Sequence, residues 1–261
     1  MKRTLIDKIP YDLPPELNSL IAGARIWDSS CSPEARVYYV EREGGCFLTI
    51  AEQGSLQREA TITAYFHKRG LSAEVMYYGS GERDFLVTSR IFGEDCTHPD
   101  YLSDPVRLTD TIAYKLRELH ELDASDCPIT DRMSSYFNTV RKNYERGLYD
   151  PDFLAPSLSG MSRESALALA LDGEREMQGR VLLHGDYCLP NIMLDSWRFS
   201  GFIDLGSGGI GDRHVDLFWG AWTLRYNLGT DKYRDRFFDA YGRDAFDTEL
   251  ILAVSAAECF G

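Results

Sequence analysis

The sequence predicts an α+β fold in two lobes, a β-rich N-terminal lobe over residues 1–89 and a mainly helical C-terminal lobe over 90–261. Three observations predict it. Up to about residue 90, short β-branched and aromatic runs alternate with glycine-rich turns. From residue 105 onward, apolar residues recur at helical spacing. Between those helical stretches, residues 180–204 revert to short strands. A chain of 261 residues, 44% of them hydrophobic, can bury a core in either lobe.

Residues 36–40 and 46–50 read as a hairpin across the polar, glycine-bearing turn 41–45. Ala60, Ile62, Ala64 and Tyr65 set a helix over 57–69, stopped by Gly70. Residues 73–78 and 84–89 add two strands around the turn 79–82, so the first lobe is a sheet with one helix. The join falls at 88–93. In the second lobe Leu108, Ile112, Leu116, Leu119 and Leu122 form one stripe of a helix over 106–122. Residues 134–144, 162–171, 214–226 and 233–241 read as further helices.

Charge and targeting signals narrow the partners. With 28 Lys plus Arg against 41 Asp plus Glu, the net charge of −13 repels nucleic-acid phosphates and anionic lipid. The same charge suits a cationic small molecule or a metal–nucleotide complex, and it equally suits a surface that is simply acidic. No apolar run approaches the length of a membrane span, and no signal-peptide pattern follows Met1, so the sequence predicts a cytoplasmic protein with no membrane or nucleic-acid partner. Cys31, Cys46, Cys96, Cys127, Cys188 and Cys259 are scattered without a C-x-x-C pair. They predict small buried side chains, not a zinc site or a disulfide framework.

The chemistry is concentrated in His184-Gly185-Asp186-Tyr187-Cys188-Leu189-Pro190-Asn191, followed by Ile203-Asp204-Leu205-Gly206. Residues 192–194 and 199–203 pair as a hairpin across the turn 195–198, which brings the residues flanking its open end side by side. Asn191 and Asp204 are those residues, and two hard oxygens aimed at one point suit Mg²⁺ completed by phosphate and water. Asp186 then hangs on a tight loop where it can accept a proton from an attacking hydroxyl. The order and the Asp-to-Asn interval match the H-R-D-x-x-x-x-N loop and later D-F-G of kinases. Taken singly, Asp186 is a turn former and Asn191 a cap. The combined spacing points to phosphoryl transfer.

With those motifs the sequence resembles the aminoglycoside phosphotransferase family, most closely its 3′-phosphotransferase branch. The matching stretches are 184–191, 201–206, 212–216, Leu119-His120-Glu121-Leu122-Asp123 with the residues up to Pro128, and Ala257-Glu258-Cys259-Phe260. The resemblance implies a protein-kinase-like fold, ATP or GTP as donor, Mg²⁺, and a hydroxyl of a cationic aminoglycoside as acceptor. By resemblance Asp186 is the catalytic base, and Asn191 and Asp204 are magnesium ligands. Ile203 and Val37 enclose the base of the nucleotide, and Ser89 and Ile91 bracket the backbone facing its edge. Ser32 belongs to the phosphate-covering loop 29–34, which here contains no glycine. Phe47 either stacks on the base or serves as a core residue of an amphipathic strand.

Two departures from the family stand out. The third-strand lysine that pairs with a glutamate, here Glu59, is replaced by Thr49, and no lysine occurs between Lys8 and Lys68. Arg36 points away from Val37 by strand alternation, and Arg58 faces about 100° around the helix from Glu59. Thr49 therefore raises an alternative, a nucleotide-binding pseudokinase. A second alternative keeps the chemistry and changes the acceptor. On the acceptor side, Arg225-Tyr226-Asn227 stand where the branch has adjacent acids, and Ser207 stands where it has an arginine. Asp150 and Asp152, in the insertion before the catalytic strand, are acceptor-binding acids or solvated loop charges. Glu258 is an acidic acceptor contact or a solvated terminal charge.

Overall fold

The computed structural model describes residues 3–31, 34–42 and 44–261. They form two compact units, one of residues 1–92 with Ser200–Gly206 and one of Gly93–Phe199 with Ser207–Gly261. The expected division at residue 89 was contiguous. In the structure a short segment from beyond the catalytic loop belongs to the first unit.

The first unit is a six-stranded antiparallel sheet in the order β1-β2-β3-β4-β6-β5. The strands are β1 (Thr4–Ile6), β2 (Arg25–Asp28), β3 (Ala35–Glu41), β4 (Cys46–Glu52), β5 (Val75–Ser80) and β6 (Arg83–Ser89). One face, including Ile26, Tyr38, Val40, Leu48, Ile50 and Val87, closes over Leu17 of helix α1 (Pro15–Ile21). The other face packs Ala51 and Leu86 against Leu56 and against Ala60 of α2 (Gln57–His67). Sequence reading expected a single helix here. Helix α1 escaped it because seven residues behind a proline start make too short a stripe to register.

Buried Asp84 fixes the start of α2. It accepts the N–H groups of Gly54 and Leu56 at 2.9 Å each and the hydroxyls of Ser80 at 2.6 Å and Tyr78 at 3.2 Å. Burial opposes its charge, but the donors from Ser80, Gly54 and Leu56 outweigh it and hold the carboxyl below its usual range. The 200–206 segment docks beside α2: the Phe202 N–H donates to the Leu71 carbonyl at 2.7 Å, and its ring meets Phe66 edge-on at 6.3 Å.

The second unit is helical around two small sheets. Strand β7 (Glu94–Asp95) pairs with β9 (Ile192–Asp195), and β10 (Arg198–Phe202), which begins in this unit and ends in the first, follows β9 along the chain. The expected hairpin turn is present, with Ser196 and Trp197 both left-handed at φ 52° and 70°, as a tight turn matching strand twist requires. Strand β8 (Val181–Leu183) pairs with β11 (Gly209–Gly211). The helices are α3 (Pro99–Leu102), α4 (Pro105–His120), α5 (Arg132–Glu145), α6 (Arg163–Glu176), α7 (His214–Leu228), α8 (Arg234–Tyr241) and α9 (Thr248–Glu258).

The α4 stripe is buried at Leu108, Ile112, Leu116 and Leu119, but the helix ends at His120 and leaves Leu122 39% exposed. Helix α6 runs past residue 171 because Gly173 is a packing residue: a Cβ there would sit 2.3 Å from that of Ala253 on α9. Helix α9 was not expected. It is buried from Ile251 to Glu258 apart from a half-buried Leu252, so its sequence shows no polar stripe to mark it as amphipathic. Of the cysteines, Cys31 is exposed and the others are buried. Among the described residues no helix is long and apolar enough to cross a membrane.

Candidate active site

The loop leaving β8 is held from below by Asp216 of α7. Fully buried, Asp216 accepts the N–H groups of His184 and Gly185 at 2.8 Å each, and its Oδ2 lies 3.2 Å from Nε2 of His120. Burial lowers the His120 pKa, so the ring is neutral and donates from Nε2 while Nδ1 accepts from the Tyr241 hydroxyl at 2.9 Å. Gly185 is left-handed at φ 86°, and a Cβ there would lie 1.9 Å from the Ser207 carbonyl oxygen. Further along, the Tyr187 hydroxyl donates to the Ile112 carbonyl and the Leu189 N–H to Thr223 Oγ1. These ties leave Asp186 half-buried, with Asn191 Nδ2 donating to its Oδ2 at 2.9 Å and its carbonyl at 3.1 Å. The Asn191 Oδ1 therefore faces away from Asp186.

The nucleotide candidates gather in the first unit. Val37 pairs across the strands with Thr49, Tyr39 with Phe47, and Thr49 with Leu86, so all five share the sheet face that carries α2. Arg36 is on the opposite face, as alternation requires. Phe47 is half-buried; its ring lies 5.2 Å from that of Tyr39, and the Arg3 guanidinium sits 5.5 Å above it. Ser29 and Ser30 stitch the glycine-free loop to β3: the Ser29 N–H donates to the Val37 carbonyl and the Val37 N–H to Ser30 Oγ, each at 2.9 Å. Ser32 lies outside the described residues. Ser89 donates its N–H to Glu74 and Arg90 to Gly45, so those amides are spent within the unit rather than held for a nucleotide edge. Ile91 packs where a Cβ on Gly201 would meet it at 2.7 Å, two residues before Ile203.

Glu59 and Asp204 fall in this unit together. Burial, then the nearby Asp204 charge, push the Glu59 carboxyl up to about 7. With threonine at position 49, no lysine on β4 offsets either effect. Asp204 is exposed and left-handed at φ 58°, a conformation aspartate tolerates better than most residues and one that persists where the surroundings impose it. The oxygen donors of Asp204 and Asn191 are hard ligands of the kind Mg²⁺ accepts alongside phosphate and water.

On the acceptor side, Asp150 and Asp152 line a cavity of about 800 Å³ together with Phe153, Trp222, Arg225 and Tyr226. Asn227 is not in that lining. Its amide turns back to donate to the Thr223 carbonyl at 2.8 Å and hydroxyl at 3.1 Å, and so supports the residue that holds Leu189. Glu258 is no solvated terminal charge. It is 6% exposed and accepts the Tyr136 hydroxyl at 2.8 Å and Trp219 Nε1 at 3.1 Å.

The sequence matches the phosphotransferase enzyme family over residues 33–251. A probable aminoglycoside 3′-phosphotransferase of Lactococcus lactis is 45% identical over 249 residues, 95% of each chain. The chain belongs to the aminoglycoside phosphotransferase family. Among solved structures, a type VIII aminoglycoside-3′-phosphotransferase superposes with a TM-score of 0.76 at 23% identity, covering 94% of this chain and 97% of that one. APH(3″)-Id of Streptomyces rimosus, solved with ADP and streptomycin, gives a TM-score of 0.75 at 24% identity, covering 94% and 95%. The fold is the kinase-like α+β fold of aminoglycoside phosphotransferases, as expected, and the family is one of O-phosphotransferase enzymes.

Within this aminoglycoside phosphotransferase framework, sequence reading passed over Asp216, Thr223 and Trp219. Asp216 lay inside a matching stretch, but its task is set by the spatial approach of the 184–185 backbone. The Glu258 environment carries a pH prediction. Burial pushes its carboxyl up to about 7 and the Asp186 charge pushes the same way, while the Tyr136 and Trp219 hydrogen bonds and the Arg132 charge oppose. Between its ordinary value of 4.5 and about 7 the folded state keeps a proton that the unfolded state has released, so rising pH costs stability across that window and no further above it. Glu258→Gln removes the titration and keeps an acceptor for Tyr136 and Trp219. Its melting temperature should shift in its favour relative to wild type by about 2–4 °C per kcal/mol relieved as pH rises from about 5 to about 8. Parallel melting curves at the two pH values check this.

Proposed function

We propose that the protein transfers the terminal phosphoryl group of ATP or GTP to a hydroxyl of an amine-bearing aminoglycoside, with Mg²⁺ on the phosphates and Asp186 as the base. The observation that carries the proposal is the loop geometry around Asp186. One carboxylate oxygen is engaged by Asn191 while the loop is pinned to Asp216, which fixes the direction in which the other oxygen can accept a proton. Asn191 and Asp204 would hold the metal. Asp204 is three residues upstream of Ser207, whose carbonyl abuts Gly185, so chain length alone limits its Cα to about 11 Å from that of Ser207.

In this reading Asp186 accepts the acceptor's hydroxyl proton as the new oxygen–phosphorus bond forms and the bond to the bridging oxygen of the leaving nucleoside diphosphate breaks. Bound Mg²⁺ supplies charge neutralisation on the phosphoryl oxygens. Val37, Phe47, Ile91 and Ile203 would enclose the base. Thr49 and Glu59 would face the phosphates, with Ser32 of the covering loop and the Ser89 carbonyl contributing at the edges. Asp150, Asp152 and Glu258 would meet the acceptor's ammonium groups, with Asn227 acting through Thr223. Relatives such as the L. lactis protein carry aminoglycoside phosphotransferase names, which weighs against a pseudokinase.

Thr49→Lys tests the nucleotide half of the reading. A lysine on that face restores a cation between Glu59 and the phosphates, and a charge-assisted bond of about 1.5–3 kcal/mol should tighten nucleotide binding by roughly 10- to 100-fold. Calorimetric titration with ATP and GTP in Mg²⁺ measures it, and an unchanged affinity would contradict the placement of Thr49. The acceptor half is tested by assaying kanamycin phosphorylation with both nucleotides.

A further inference from the structure

We infer that the Phe153–Trp222–Tyr226 stack, framed by Asp150 and Asp152, is the platform on which one amine-bearing sugar ring of the phosphoryl acceptor lies. The inference rests on the acceptor class proposed above and names the surface that selects it. Trp222 and Tyr226, one turn apart on α7, stack at 4.9 Å and 12°, and Phe153 continues the stack against Trp222 at 5.5 Å and 26°. Tyr226 is 71% exposed, a large apolar face lining the cavity of about 800 Å³. Aromatic faces attract the polarised C–H face of a sugar ring and any ammonium group set upon it.

The segment opposite α7 is built in place. The Asp150 N–H donates to the Cys259 carbonyl at 2.8 Å and the Ala155 N–H to Ser255 Oγ at 2.5 Å. The same Ser255 hydroxyl donates to the Phe153 carbonyl at 3.0 Å. Asp150 Oδ1 accepts the Asp152 N–H at 3.0 Å, and among the described residues neither carboxylate is in an ion pair. Both remain available to ammonium groups. Arg225, in the same lining, disfavours an ammonium at its end of the cavity, so the acceptor's amines must be unevenly placed.

The stack continues along α7 through Trp219. Trp219 meets Trp222 edge-on at 5.4 Å and donates to Glu258, whose carboxyl feels the Asp186 charge.

Tyr226→Ala, at an exposed position, is the primary test, with Trp222→Phe as the conservative partner and Tyr114→Ala, an exposed aromatic on α4 outside the cavity, as control. Kanamycin alone is titrated into each protein and followed by tryptophan fluorescence, and steady-state kinetics are measured separately. Tyr226→Ala should weaken kanamycin binding and raise its KM by about tenfold, leaving kcat and the nucleotide KM within about twofold. Trp222→Phe, which removes a reporter tryptophan and is therefore read by its kanamycin KM, should raise that KM less than Tyr226→Ala does, and Tyr114→Ala should match wild type. Unchanged kanamycin affinity in Tyr226→Ala, or an effect confined to kcat or nucleotide, overturns the platform even if kanamycin is phosphorylated. A Tyr226-dependent fluorescence change without phosphorylated product supports the platform and removes the proposed reaction. No fluorescence change in wild type removes the platform outright.

Discussion

Asp186→Asn should lower kanamycin phosphorylation by about 10²- to 10⁴-fold, the range a positioned general base contributes, while ATP affinity stays within about twofold. The substitution isolates the proton-accepting charge. Asparagine keeps the shape of the side chain and an oxygen that can still receive the Asn191 amide, so the 2.9 Å contact survives. The ties from Asp216 to the 184 and 185 amides run through the backbone and are untouched. Only the capacity to take a proton is lost. Rapid-mix kinetics with the nucleotide saturating read the chemical step apart from binding. A variant with wild-type turnover would mean that the acceptor hydroxyl is deprotonated elsewhere or needs no base.

Asp204→Asn is the second large effect. Asparagine tolerates the left-handed φ of 58° as well as aspartate does, so the backbone turn remains while the carboxylate is removed. Losing a hard anionic ligand should cut turnover by about 100-fold or more and displace the Mg²⁺ dependence of turnover to higher concentration. Removing Asp204 also removes the charge that pushes Glu59 up, so the Glu59 carboxyl should titrate closer to its ordinary value. Turnover measured across a Mg²⁺ series, with ATP held constant, checks the first expectation. An unshifted Mg²⁺ requirement would place the metal ligand elsewhere.

The parts of the site that are legible in the sequence are those set by local spacing. The 184–191 loop and the hairpin behind it are one continuous stretch, so the approach of Asn191 to Asp186 could be anticipated from the interval between them. Strand alternation likewise set Arg36 opposite Val37, whereas only the register of the two strands puts Val37 on the face of Phe47 and Thr49. What could not be read depends on chain segments meeting from far apart. Asp216 becomes a support only when α7 lies under the loop, and Glu258 becomes a buried acceptor only when Tyr136 and Trp219 close on it. Helix α9, buried along nearly its whole length, lacks the polar stripe that reveals a helix at an interface. The aromatic platform is half legible: Trp222 and Tyr226 are spaced as one face of α7, whereas Phe153 reaches them from a separate segment held by Ser255.

The most direct measurement is the mass of kanamycin after incubation with the protein, Mg²⁺ and either ATP or GTP. Kanamycin should carry one added phosphoryl group with the wild type, and Asp186→Asn should form it about 10²- to 10⁴-fold more slowly. Nucleotide binding with no phosphorylated kanamycin or other amine-bearing acceptor would contradict the proposed function.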